Sequence, residues 1–204
     1  PFNINHFHYN WHWHWEYGNG DIGNTGPHQF DIARWGLNRE DAPVKGKSTG
    51  GYYVFDSSQE TPNTQAALFE YADGTILEFE VRGHFSNRES NVTIGNLFFG
   101  SEGWMEIGGG GWKTYFGRRN EPGPSSDSYP SEYTPDEVTG GSAGGHFGNF
   151  ITAIRSGDQS LLEAEIHEGQ RSNVLPHMAN VSYRLGREVS FDGLSETFMD
   201  DSEA

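Results

Sequence analysis

The chain has 204 residues, enough for one domain of ordinary size with a hydrophobic core. Its 13 Lys and Arg residues against 29 Asp and Glu residues give a net charge of -16, which argues against a nucleic-acid partner. Cysteine is absent, which excludes disulfides and thiolate chemistry, and no apolar run approaches the length of a membrane span. We therefore expect a soluble protein without a membrane partner, and its compartment, cytoplasmic or exported, stays open.

The first predicted element is a strand from His6 to Tyr17, in which polar and aromatic side chains alternate. Neighbouring histidines on a strand can share a zinc ion, so the polar face is a candidate metal site. Its histidines are His6, His8, His12 and His14. The opposite face is a core face, an oligomer interface or a platform for carbohydrate. Its indole rings are Trp11, Trp13 and Trp15.

A glycine-spaced run at 18–23 then leads to a polar cluster and an apolar-periodic stretch that ends near Leu37. This pattern predicts a loop that enters a helix, with the imidazole of His28 near the helix start. Asn24 cannot ionise, although its amide can orient His28 or a substrate hydroxyl by hydrogen bonds. Asp21 is the nearest carboxylate. A plain alternative is that Asp21 and Asn24 bond to turn amides while His28 caps or packs.

Short segments rich in β-branched and aromatic residues predict further strands, several of them joined by Gly or Asp-Gly turns. They span residues 52–55, 64–71, 75–82, 92–99, 104–107 and 112–116. So many strands with short links predict a largely antiparallel sheet, since parallel neighbours need long crossover connections. Proline, glycine and serine are frequent between about 117 and 145, which predicts a long surface loop.

Two helical patterns follow the predicted loop, at about 146–157 and at 161–185. Pro176 lies inside the second pattern and lacks an amide donor, so we expect a kink or a split near 174–175. A short strand at 188–191 and an acidic tail end the chain. This order predicts an α+β fold, a largely antiparallel open β-sheet with helices packed on one face.

The segment that ends at Trp35 resembles the signature that enters the central helix of the C-terminal domain in the Gfo/Idh/MocA oxidoreductases. In that family an Asp-x-Gly-x-His unit delivers the catalytic acid/base pair, and here Asn24 stands where Asp is usual. Similar local phrases occur at 60–65, 100–103 and 181–187. The resemblance therefore runs over most of the chain and implies a single substrate-binding and oligomerisation domain over residues 1–204.

The resemblance implies that the chain is the substrate-facing half of an NAD(P)-dependent oxidoreductase that acts on a sugar or polyol-like alcohol. His28 would be the proton-transfer residue, with Asn24 beside it and Asp21 holding a neighbouring hydroxyl. Further candidates for substrate contact are Arg82, His84, His146 and His177. Because Asn24 replaces Asp, the reaction itself is open, including redox cycling on a tightly held cofactor or a glycosidase-like variant. The family also implies a homo-oligomer formed through the open face of the sheet.

The family's cofactor, NAD or NADP, belongs to an N-terminal nucleotide-binding domain that also supplies the catalytic lysine. No strand-helix unit of that kind is recognised in this sequence, and the glycine runs at 108–111 and 140–145 are simply explained as loops. We expect the fragment to bind neither cofactor nor metal on its own and to be inactive without that domain. The alternatives are a non-enzymatic carbohydrate-binding or oligomerisation module and a metal-binding domain built on the N-terminal histidines.

Overall fold

The computed structural model describes residues 3–83, 88–128, 145–199 and 201–203. The chain forms two compact units, one of residues 1–89 and 170–204 and the other of residues 90–169. The α-helices are α1 (Gly20–Asn24), α2 (Gly26–Leu37), α3 (Gly145–Ser156) and α4 (Ile166–Leu185), and 3₁₀ helices lie at Ile4–His6, His8–Trp13 and Gln159–Leu161. The strands are β1 (Lys45–Gly51), β2 (Thr64–Glu70), β3 (Ile76–Arg82), β4 (Gly95–Phe99), β5 (Gly103–Gly108), β6 (Gly111–Phe116), β7 (Glu121–Ser125), β8 (Val189–Asp192) and β9 (Thr197–Phe198).

The first unit is built on a five-stranded sheet with the order β3-β2-β1-β8-β9, in which neighbouring strands run antiparallel. Side chains on β2 alternate in burial, with Ala67 and Phe69 inward and Leu68 exposed. A strand with this alternation buries one face and leaves the other open. The predicted antiparallel sheet is confirmed.

Helices α2 and α4 supply the side chains that cover the buried face of this sheet. Phe30 of α2 stacks on Phe79 at 4.2 Å between ring centroids and meets Phe69 edge-on at 5.6 Å. Leu175 and Met178 of α4 are fully buried in the same cluster. Burial of large apolar side chains is the main favourable term in such packing. The predicted α+β class with helices on one face of the sheet is therefore confirmed.

The ends of α2 follow the rules of helix capping. Pro27 lies in the first turn, where a missing amide donor costs nothing, and Asn38 ends the helix in the left-handed conformation at φ 53°. Helix α4 continues through Pro176 to Leu185, so the predicted split does not occur. Pro176 is itself buried, as are Leu175 and Met178 beside it. This burial outweighs the loss of one helical hydrogen bond.

The predicted N-terminal strand is wrong, because residues 4–13 form two 3₁₀ helices. Their amides bond three residues back along the chain, as from His6 to Asn3 at 3.0 Å and from His14 to Trp11 at 3.2 Å. Since the backbone is satisfied locally, side chains no longer alternate between two faces. His12 and His14 are buried, whereas Trp11 is half exposed. The expected core face of indole rings, with the histidines on the opposite face, is therefore not formed.

The predicted strand at 52–55 is also wrong, and β1 lies just before it in the segment Lys45–Gly51. The strand was missed because its sequence, Lys-Gly-Lys-Ser-Thr-Gly-Gly, carries no apolar alternation. Pairing along β2 determines the strand instead, with Ser48 opposite Ala67. The acidic tail, for which no strand was predicted, contributes β9.

The second unit contains a four-stranded antiparallel sheet with the order β4-β5-β6-β7, followed by α3. Glu106 is buried in it and accepts hydrogen bonds from the Asn91 amide at 3.1 Å and the Tyr115 hydroxyl at 3.2 Å. The loop predicted at 117–145 is wrong in part, because residues 121–125 form strand β7. This segment can be a strand despite its prolines because β7 lies at the edge of the sheet. Residues 129–144 of that loop lie outside the described part of the chain.

Candidate functional site

Glycines allow the chain to enter α1 in close contact with its neighbours. A Cβ atom on Gly18 would lie 2.4 Å from the Cα atom of His12, which no side chain permits. Gly20 adopts φ +76°, and a Cβ atom there would lie 2.8 Å from the Cβ atom of Thr61. Both the positive φ and the lack of space require glycine. The segment is therefore held against the second 3₁₀ helix and against Thr61, which precedes β2.

A buried polar network ties the same segment to α4 and to the sheet. The side-chain amide of Asn180 donates to the carbonyl oxygen of Asn19 at 2.8 Å. Gln65 of β2 donates to both Asn180 Oδ1 at 3.3 Å and Ser48 Oγ at 3.0 Å. Buried polar groups that are bonded in this way specify one arrangement, because breaking the network leaves unpaired groups. The entry to α1 is thereby anchored on two sides.

The carboxylate of Asp21 is half-buried at the start of α1. The indole N–H of Trp13 donates to Asp21 Oδ1 at 3.3 Å. A Cβ atom on Gly83, just after β3, would lie 2.9 Å from Asp21 Oδ2, so the strand end packs against the carboxylate. Burial raises the pKa of Asp21, while the Trp13 hydrogen bond and the charge of His12 act in the opposite direction. A carboxyl group with a raised pKa is a common property of functional sites.

Asn24 and His28 lie on the same short segment as Asp21 and are exposed. Asn24 is the last residue of α1, and His28 lies in the first turn of α2. An accessible imidazole can accept and release a proton near neutral pH, and the Asn24 amide can both donate to and accept from a hydroxyl. Asp21, Asn24 and His28 are therefore polar side chains of one short segment that can contact a hydroxyl.

The other predicted contact residues are spread over the chain. Arg82 ends β3 directly before Gly83, and its guanidinium pairs with Glu80 at 3.1 Å and Glu89 at 3.7 Å. The end of β3 lies close to Asp21 because Gly83 packs against that carboxylate. Three further candidates have different positions: His84 is outside the described residues, His146 is exposed in the second unit, and His177 is exposed on α4.

The N-terminal histidines do not share the face that the metal hypothesis requires. The rings of His6 and His14 contact one another with 3.9 Å between centroids and a tilt of 35°, and the ring of His12 packs on Trp13 at 4.1 Å. Within the described residues, no three His, Asp or Glu side chains are grouped as metal ligands. The prediction that these histidines share one face is wrong, because it assumed a strand where the chain forms 3₁₀ helices.

Trp13, Thr61 and Gly83 shape the site, and the sequence interpretation assigned none of them to it. Trp13 reaches Asp21 across a turn, whereas Thr61 and Gly83 approach from segments far along the chain. No local pattern marks such contacts, because they depend on how distant segments pack.

In the described part of the chain, no helix combines the length and apolar character that a membrane span needs.

Solved structures resemble this chain in fold. An oxidoreductase described as putative from Thermotoga maritima has a TM-score of 0.59 at 13% identity, over 91% of this chain and 51% of its own. The WlbA dehydrogenase from Bordetella pertussis, in complex with NADH and UDP-GlcNAcA, has a TM-score of 0.53 at 16% identity, over 89% and 49%. The aldose-aldose oxidoreductase from Caulobacter crescentus, complexed with glycerol, has a TM-score of 0.58 at 14% identity, over 89% and 50%.

The chain thus spans about half the length of these proteins. Comparison with curated proteins gives no match. The family model for the GFO/IDH/MocA C-terminal domain matches residues 2–106, just over half of the 204 residues. The match includes the two N-terminal 3₁₀ helices, α1, α2 and β1 to β4. The predicted resemblance is confirmed by this match, and the chain belongs to the GFO/IDH/MocA C-terminal domain family.

Proposed function

We propose that this domain is the substrate-facing half of an NAD(P)-dependent oxidoreductase that oxidises or reduces a sugar or polyol-like compound. The observation that carries the proposal is the segment 21–28, which holds a half-buried carboxylate, an exposed amide and an exposed imidazole. Groups that both donate and accept hydrogen bonds suit a ligand with several hydroxyls. The WlbA dehydrogenase and the aldose-aldose oxidoreductase, which have the same fold, are complexes with NADH and UDP-GlcNAcA and with glycerol, which supports this substrate class.

Within the described residues, the glycine runs do not have the strand-turn-helix context of a dinucleotide fingerprint. Residues 18–23 have Gly-x-Gly-x-x-Gly spacing, but they follow a 3₁₀ helix and enter a five-residue helix, not a βαβ unit. The glycines at 108–111 span the end of β5, the turn and the start of β6, and residues 140–144 lie outside the described residues. A nicotinamide held by another domain would supply the hydride acceptor or donor.

In this proposal His28 exchanges the proton of the reacting hydroxyl. For oxidation, neutral His28 takes the O–H proton as the carbon-bound hydride leaves, so the alcohol becomes a carbonyl and the imidazole becomes an imidazolium. For reduction, the same imidazolium returns the proton. Asn24 orients the imidazole or the hydroxyl, and Asp21 accepts a hydrogen bond from a neighbouring hydroxyl. Asn24 has no ionisable proton to exchange, which leaves the exposed imidazole of His28 as the group of this segment that is suited to general acid-base catalysis.

The test is turnover of a full-length parent protein with a panel of sugars and polyols. We expect His28→Ala to lower kcat by roughly a hundredfold or more while cofactor affinity stays unchanged, because general acid-base catalysis contributes about that factor. His167→Ala is the control, since His167 is exposed on α4 and lies outside segment 21–28. Equal turnover of the two variants would remove His28 from the reaction.

We also propose that copies of the chain associate through the open face of the first sheet. Leu68 and Ile76 are 48% and 66% exposed there, an apolar patch in the middle of a charged surface. Strand β1 presents Lys45 and Lys47 on this face, whereas β3 presents Glu78 and Glu80. A two-fold pairing sets β1 of one copy over β3 of the other, which brings opposite charges together.

A further inference from the structure

A cleft separates the second 3₁₀ helix from the segment 52–59 that follows β1. Its volume is about 440 Å³, within the range of small-molecule pockets. Both aromatic and polar side chains line it. The side chains that carry its chemistry are Asn10, Trp13, Tyr52, Phe55, Asp56 and Ser57. None of them belongs to the segment 21–28 described above.

Internal hydrogen bonds hold the 52–59 wall of the cleft in shape. The hydroxyls of Tyr52 and Ser57 are 2.7 Å apart, and the backbone of Tyr53 bonds to the side chain of Asn63 at 3.1 and 2.8 Å. Between them, Val54 adopts φ +79°, a conformation that a β-branched residue avoids. Strain of this kind persists where surrounding contacts impose it and is frequent at ligand sites. The wall is therefore formed before any ligand binds.

The opposite wall is fixed by residues 60 and 61. The carbonyl oxygen of Trp13 accepts from the backbone amides of Glu60 at 3.1 Å and Thr61 at 3.2 Å. His14 lines the cleft from a position only 3% exposed, and its Nδ1 atom lies 3.7 Å from Glu60 Oε1. Trp13 has a second role, because its indole N–H binds Asp21. One ring thus belongs both to the cleft and to the proposed reaction site.

We propose that this cleft binds a neutral sugar ring. Aromatic rings such as those of Trp13, Tyr52 and Phe55 pack against the apolar C–H faces of a pyranose. Hydroxyl and amide groups of the cleft donate to and accept from sugar hydroxyls, and Asp56 accepts from them. The same carboxylate, in a chain of net charge -16, opposes uronates and sugar phosphates. If the proposed oxidoreductase function holds, the ring bound here is the part of the substrate remote from the reacting carbon.

The binding step is tested on the chain of 204 residues by isothermal titration calorimetry and tryptophan fluorescence. The probes are methyl glucoside, N-acetylglucosamine and cellobiose, compared with glucuronate and glucose 6-phosphate. We expect the neutral probes to bind with a change in fluorescence, since Trp13 lines the cleft, and the anionic probes to bind more weakly. Tyr52→Ala and Phe55→Ala should each weaken neutral binding about tenfold or more, as expected for loss of one stacked ring. Asp56→Asn should reduce the difference in affinity between methyl glucoside and glucuronate, because it removes the negative charge that opposes the uronate.

Tyr53→Ala is the matched control, because Tyr53 is a neighbouring exposed tyrosine outside the cleft whose bonds to Asn63 come from its backbone. Absence of heat and of fluorescence change with every neutral probe overturns the proposal. So does binding that Tyr53→Ala weakens as much as Tyr52→Ala. Circular dichroism of each variant confirms that the fold is kept, and Tyr52→Phe provides a milder second variant that retains the ring.

Binding and turnover separate this proposal from the proposed function. A parent protein that turns over no alcohol, together with sugar binding that depends on Tyr52, would leave the cleft intact and remove the oxidoreductase. If Tyr52→Ala and Phe55→Ala leave the kcat/KM of an active parent unchanged, and the chain itself binds no sugar, the sugar cleft is removed and the oxidoreductase proposal is kept.

Discussion

Asp21 is a residue whose environment works against its charged form. Its carboxylate is half-buried between the indole of Trp13 and the backbone at Gly83, and burial raises its pKa above the ordinary value of 3.8. A group with a raised acid pKa binds its proton more tightly in the folded state than in the unfolded state. The free energy of unfolding therefore falls as pH rises from 3.8 through the folded-state pKa. The loss persists at neutral pH.

Replacing Asp21 by Asn removes the charge and keeps an oxygen acceptor for the Trp13 N–H. We expect Asp21→Asn to be more stable than the original chain at pH 7, and the difference to disappear below about pH 3.8, where both states are protonated. Urea unfolding across this pH range measures the effect. Asp127→Asn, at an exposed position, is the control and should change stability by less than about 0.5 kcal/mol. If Asp21→Asn is less stable than the original chain at pH 7, the conclusion that burial disfavours the charged carboxylate of Asp21 is contradicted.

Among the elements, α2 and α4 are joined by a buried arginine. Arg34 donates to Ser172 Oγ at 2.9 Å and to the backbone oxygen of Arg39 at 3.1 Å, and it lies 3.6 Å from Asp31 Oδ1. Ser172 in turn donates to Asp31 at 2.7 Å. Because Arg34 is only 2% exposed, its charge depends on these contacts for compensation.

Truncation of this side chain should therefore cost far more than truncation of a surface arginine. We expect Arg34→Ala to lower the free energy of unfolding by about 3 kcal/mol, the cost of breaking a buried charge network. Arg155→Ala, at an exposed position on α3, should change it by less than about 0.5 kcal/mol. Chemical denaturation of both variants decides the point, and similar values for the two would show that the network contributes little.

Elements with a strong local pattern were predicted from sequence, and those without one were not. The hairpin of β2 and β3 follows from alternating apolar residues around Ala72-Asp73-Gly74, where Gly74 takes φ +85°. Strand β1 has no such pattern, since its register is imposed by β2. The N-terminal segment has the alternating pattern of a strand, but its backbone amides form 3₁₀ hydrogen bonds within the segment and not with a neighbouring strand.

At the scale of the whole molecule, the proposed association places Leu68 at the centre of an interface. Leu68→Glu would replace this apolar side chain by a charge, which is costly to bury in an interface. We expect the 204-residue chain to run as an oligomer of at least twice 22.8 kDa in light scattering, and Leu68→Glu to run as a monomer. Leu194→Glu, which changes a side chain 99% exposed outside this face, should leave the oligomer intact. A monomeric parent chain, or an oligomer unaffected by Leu68→Glu, would contradict the interface.

The α+β class, helix α2, most strands of both sheets and the polar segment 21–28 follow from the sequence by itself. These features depend on turn chemistry and on the spacing of neighbouring apolar residues, which are local properties. The partners of Asp21, the burial of His12 and His14, and the cleft beside Trp13 were decided only by the tertiary structure. They join residues eight to more than forty positions apart, such as Trp13 with Asp21 and with Thr61. The physical reason is that burial and long-range hydrogen bonds depend on which segments pack together, and this is decided by the competition of all contacts in the folded chain.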